Sequence, residues 1–135
     1  MHPSFTKFLL EDQVLPHLRA GRAVEQWLGY DVYNGYRTIT YLTITPSRNG
    51  DFIISWSESF DEGSHNFHDV FEFSAVDAEL NARRTTHHLT GEAAVSVAIK
   101  DHGARLDRFI GNGMIQEVYA SFIRENGEAP VPGRK

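Results

Sequence analysis

Cysteine is absent from the 135-residue chain. That removes disulfides, thiolate nucleophiles and thiolate metal ligands together, and it fits a reducing compartment. No stretch approaches the roughly 20 apolar residues of a membrane-spanning helix. The opening Met1-His2-Pro3-Ser4-Phe5 lacks the basic-then-apolar layout of a secretory signal, and Glu11 and Asp12 interrupt the one candidate run. A cytoplasmic protein with no membrane partner is expected. Catalytic signatures are missing too: there is no G-x-S-x-G elbow, no S-x-x-K, no phosphate-cradling G-x-x-x-x-G-K-[ST] and no H-E-x-x-H.

Basic residues are scarce in one place. Between Arg48 and Arg83 there is no Lys or Arg, while the same interval carries eight acids: Asp51, Glu58, Asp61, Glu62, Asp69, Glu72, Asp77 and Glu79. The formal net charge is −5, which argues against nucleic acid, because phosphate binding needs a basic face. The plain reading of the acidic run is a solvated face; the sharper one is a docking surface for a basic protein.

Apolar residues make up 41% and aromatics 12%, enough for one core at this length. Residues 1–126 are expected to form one α+β domain and residues 127–135, with two prolines, a tail. Ser4 suits an N-cap, and Phe5, Phe8, Leu9 and Leu15 recur at helical spacing until Pro16 and Gly21 limit the helix. The period then changes. Val24–Tyr30, Arg37–Thr45, Phe52–Phe60 and Phe67–Phe73 read as four antiparallel strands, with Asn34-Gly35 as a hairpin turn and Pro46–Gly50 as another. Phe52, Ile54 and Trp56 share one phase and Ser55, Ser57 and Ser59 the other. Further on, Thr90 suits an N-cap and Gly103 a C′ position for a helix over Ala93–Ile99, although AVSVAI also fits a strand. Met114, Ile115, Val118, Tyr119, Phe122 and Ile123 make one apolar face of a helix that Gly127 can end. The fold expected is α+β: an antiparallel sheet of about four strands, with an N-terminal helix and C-terminal helices packed on one face.

The hairpin around Asp61–Asn66 supplies the candidate chemistry. A register pairing Phe60 with Phe67 sets Trp56 against Phe71 and Glu58 directly against Asp69. Opposed carboxylates need a cation, an arginine or a shared proton. Glu58 and Asp69, with His65 and His68 nearby in sequence, therefore form a candidate ligand site; if the core ends before them, both acids simply reach water. His65/His68 and the adjacent His87-His88 give only a weak metal pattern, and no metal or cofactor is expected. His87-His88 reads as a polar loop. Gly111-Asn112-Gly113 could cradle an anion before the last helix, or merely separate two helices.

Two segments, FIISWSESFDEGSHNFHDVFEFSAVD (Phe52–Asp77) and RFIGNGMIQEVYASFIRE (Arg108–Glu125), resemble small acidic bacterial proteins of unknown activity, some of them similar to immunity proteins of polymorphic toxins. The similar stretches cover about a third of the chain. The resemblance implies stoichiometric binding and carries over no catalytic residue. The leading expectation is a non-enzymatic module that binds a basic protein through Glu58, Asp61, Glu62 and Asp69. The alternative is a small enzyme or ligand-binding protein using Glu58, Asp69, His65 and His68.

Overall fold

Alternation along the sheet divides its side chains between two faces, and each face builds a core. A computed structural model describes residues 7–77 and 83–129. Strands β1 (Val24–Tyr33), β2 (Tyr36–Pro46), β3 (Phe52–Phe60), β4 (Arg83–His88) and β5 (Ile110–Gly111) form one antiparallel sheet in the order β4-β3-β2-β1-β5. The α+β class and the antiparallel sheet are as the sequence indicates; the strand count is five. Tyr33 pairs with Tyr36 across Asn34-Gly35, both at positive φ, a conformation that this pair tolerates and that matches strand twist. Between Trp27 and Gly29 the register shifts by one residue. Gly29, at φ 147°, takes up a backbone conformation closed to most side chains.

The first face carries Val24, Leu42, Ile44 and Ile54, which pack with Val14 and Leu18 of α1 (Val14–Arg19) and with Ala94, Val95 and Ala98 of α2 (Gly91–His102). Pro16 is the third residue of α1, where its missing N–H breaks no helical bond. Thr90 caps α2 by accepting the Ala93 amide at 3.0 Å, and Gly103 ends it at φ 74°. The second face carries Trp27, Ile39 and Tyr41 under Ile115, Val118, Tyr119, Phe122 and Ile123 of α3 (Ile115–Asn126), which Gly127 terminates. The helices thus divide between the faces, where one covered face was expected. The cause is that β2 is apolar in both phases: Leu42 and Ile44 alternate with Ile39 and Tyr41.

Four local expectations change. Phe67–Phe73 is not a strand. Its alternating phenylalanines mimic one, but Asp69 accepts the Phe71 amide and starts a 3-10 turn, Val70–Glu72, that buries Val70 and Phe73. The fourth long strand is instead Arg83–His88, of which only His87-His88 has a reading from sequence, as a polar loop; it pairs with β3 from Phe52↔His88 to Ser57↔Arg83. Ser57 and Ser59 are buried rather than outward. Residues 74–76 run along the end of β3, with Phe60 N–H donating to Ser74 and Val76 N–H to Glu58. Finally, Lys7–Leu10 is irregular and the first helical residue is Glu11, so the expected start at Ser4 fails through Phe8 and Leu9; Ser4 and Phe5 themselves lie outside the described residues.

The expected tail begins inside the fold. The Gly127 carbonyl accepts from Arg37 and Ala129 is buried; residues 130–135 lie outside the described part.

Candidate functional site

Arg37 opens the core phase of β2, two residues before Ile39 and four before Tyr41. A buried cation there requires an anion. Asp61, immediately after β3, supplies it: Arg37 Nε donates to Asp61 Oδ2 at 2.6 Å, and both side chains are almost wholly buried. Tyr119 Oη of α3 donates to the other oxygen, Asp61 Oδ1. The second guanidinium arm donates to the Gly127 carbonyl at 2.7 Å, and the Arg37 Cζ lies over the Phe122 ring, 4.7 Å from its centroid. Burial, and then the neighbouring Asp61 carboxylate, push the Tyr119 hydroxyl far above the ordinary phenol range. The phenol therefore keeps its proton and remains a donor. Gly63 packs on this hydroxyl so closely that a Cβ would come within 2.2 Å of it, and only glycine fits.

Asp61 is thus withdrawn from the surface, at 2% exposure, and is not available to a partner. Its role is to anchor the segment that follows. Residues 62–76 cross the rim of the second core and are tied down along their length. Glu62 accepts the Ser74 amide, and Ser64 and Phe67 exchange backbone hydrogen bonds. Gln116 of α3 clamps the 3-10 turn, accepting from Val70 N–H at 3.0 Å and donating to Asp69 at 3.1 Å. Between these ties Phe67 and Phe71 remain 41% and 39% exposed, although each holds an edge-on ring contact to a buried neighbour, Phe73 and Tyr41. Asp69 and Glu72 are exposed beside them.

The remaining expected residues are dispersed. Glu58 sits on β3 opposite Thr40, in phase with Trp56 and Phe60 on the first face, whereas Asp69 bonds to α3 on the second. The Glu58–Asp69 pairing does not form, because Phe67–Phe73 does not pair with β3. The His68 ring lies edge-on to Tyr119 at 6.1 Å, and the His65 amide donates to Glu128 at 3.1 Å. Among the described residues, no group of three or more His, Asp or Glu side chains could hold a metal ion. A groove of about 590 Å³ lies elsewhere, walled by Leu9, Asp12, Pro16, His17 and Arg22, and none of the expected acids lines it.

Two features escaped sequence reasoning. Glu25 is buried on β1, and its carboxylate accepts the Ile115 amide at 3.0 Å, closing the start of α3. Burial pushes its pKa up, against the lowering effect of its Ile115 and Gly113 backbone hydrogen bonds. The helix N-terminus after Gly111-Asn112-Gly113 is therefore filled by the chain's own carboxylate. The signal was a charge in a strand with apolar neighbours. On the turn between β2 and β3, Asp51 bonds to both Ser47 and His87, and these hold its carboxyl below the ordinary value. Ser47 and His87 both meet the acid rather than each other, so the imidazole does not address the hydroxyl and the trio lacks the Ser–His contact of a nucleophilic triad.

No family model, curated protein or solved structure matches this chain.

Proposed function

We propose that the chain is a protein-binding module, of the immunity or inhibitor type, that engages a basic partner through residues 62–72. The observation that carries the reading is the pairing of half-exposed Phe67 and Phe71 with Glu62, Asp69 and Glu72 on a segment held from beneath. Aromatic anchors with an acidic surround suit an interface in which apolar contact supplies residence time and charge supplies encounter rate. Prior fixation of the segment lowers the ordering cost of binding. Asp61 contributes as the anchor and Glu58 belongs to another surface, so the contact acids are Glu62, Asp69 and Glu72. The alternative, a small enzyme using Glu58, Asp69, His65 and His68, has less support, since Glu58 and Asp69 lie on opposite faces.

The test is binding kinetics with a basic protein captured from the native host. Glu72→Lys combined with Glu62→Gln, which keeps an acceptor for Ser74, should lower the on-rate several-fold at low ionic strength and little at ~1 M salt, where the Debye length is about 3 Å. Phe71→Ala should raise the off-rate about tenfold or more. An on-rate indifferent to both salt and charge overturns the proposal. So does turnover of a substrate that is lost in Glu58→Gln or Asp69→Asn.

A further inference from the structure

We propose that the outer edge of β4 is a docking site for an extended acidic segment of another protein, which joins the sheet as a further strand. β4 ends the sheet: it pairs with β3 on one side, and among the described residues its other side has no backbone partner. Such an edge presents N–H and C=O groups at strand spacing, and proteins ordinarily blunt it with proline, a bulge, a very short strand or a cover. Among the described residues β4 has no proline, bulge or cover. It runs six residues and keeps one register with β3 throughout. The opposite edge, β5, is only two residues long.

Charge is what β4 carries instead. Arg84, Thr85, Thr86 and His87 are all exposed. Antiparallel pairing of two such outer edges about a two-fold axis sets residues of one phase opposite each other, so Arg84 of one copy would meet Thr86 or His88 of the other and no acid, and self-association gains no ion pair from its positive charge. The same charge favours an acidic strand. Arg84 is held ready for it: its guanidinium lies 5.4 Å over the Trp56 ring, on the residue that pairs with it in β3. His87 already faces Asp51 at 3.1 Å, so the preference rests chiefly on Arg84. Thr85 and Thr86 are β-branched and suit a strand with a neighbour on each side. Main-chain pairing would supply affinity and Arg84 the choice of acid.

The probe is a synthetic peptide alternating glutamate and valine, of about the length of β4, added to the full chain and followed by amide NMR. We expect saturable shifts confined to β4 and its neighbours, slowed hydrogen exchange at the outward β4 amides, and affinity weakened roughly three- to tenfold by Arg84→Glu. A lysine–valine peptide should bind more weakly still. The same glutamate peptide N-methylated at every residue keeps its charge and loses the donors of both its edges, so it should not bind. Equal binding of the N-methylated peptide would reduce the contact to bulk charge and overturn the proposal. Protection of amides away from β4, or no binding at millimolar peptide, would do the same.

Discussion

Under α1 and α2 the sheet is covered by aliphatic side chains, with Phe109 the one aromatic among the buried set; under α3 it is covered by Trp27, Tyr41, Phe73, Tyr119 and Phe122, with Arg37, Asp61 and Glu25 enclosed nearby. The first core has a polar member as well, but a fully paired one: Gln26 bonds through both ends of its amide to the Arg105 backbone. The second leaves the Trp27 indole N–H without a hydrogen-bond partner among the described residues. The helices follow suit. α2 is capped by the adjacent Thr90, whereas α3 is capped by Glu25 from the far end of the chain. One face is held by local signals and apolar area. The other is held by long-range polar contacts, of which those to Asp61 and from Gln116 also fix the segment bearing Phe67 and Phe71.

The largest effect should come from breaking the polar side of this contrast. Asp61→Ala strands a buried guanidinium and a phenol, and should cost roughly 3–5 kcal/mol in urea unfolding. Replacing both charges, Arg37→Met with Asp61→Leu, should cost less than Asp61→Ala alone. Equal or greater loss would mean that the pair itself, rather than avoidance of an orphan, stabilises the fold. On the aliphatic side, Leu42→Ala should cost about 2–5 kcal/mol. Hydrogen exchange separates the two: Asp61→Ala should expose amides 62–74 locally, and Leu42→Ala should leave their relative protection unchanged. A uniform response to both would erase the distinction.

A smaller contrast lies in the caps. Thr90→Ala should cost about 1 kcal/mol, with little dependence on pH between 5 and 8. Glu25 behaves differently. Its folded pKa stands above the ordinary 4.5, so between that value and the raised one the folded protein binds more proton than the unfolded chain. Stability therefore falls as pH rises through that window and levels off above it. Glu25→Gln keeps the acceptor for Ile115 and should flatten this fall, as urea midpoints measured across the window would show. A slope that survives the substitution would assign it to another group.

What was legible in the sequence was local. The stripe of α3, its Gly127 stop, the Thr90 and Gly103 ends of α2 and the Asn34-Gly35 turn each depend on residues within a few positions of one another. Asp61 was misplaced because an Asp-Glu-Gly run looks like surface, while its partners stand 24 and 58 residues away. A clue was nonetheless present: Arg37 shares the phase of Ile39 and Tyr41, which marks it as buried and in need of an acid. β4 was missed for a different reason. RRTTHH has no hydrophobic alternation, and its strand conformation comes from pairing with β3. At Phe67–Phe73 the error ran the other way, as a period of two was overruled by the Asx turn at Asp69.

The reach of Arg37, from Asp61 to a carbonyl 90 residues on at Gly127, has a consequence for how the molecule is made. A chain leaves the ribosome N-terminus first. β1, β2 and β3 are therefore finished while Tyr119 and Gly127 are still untranslated, and through that interval Arg37 and Asp61 stay hydrated with one face of the sheet open. The residues synthesised near the end are the ones that allow the earlier charged pair to be enclosed. A nascent chain stalled ahead of Gln116 carries residues 62–72 without the side chains of Gln116 and Tyr119 that tie them down, and the final stretch of translation is what encloses the second face of the sheet.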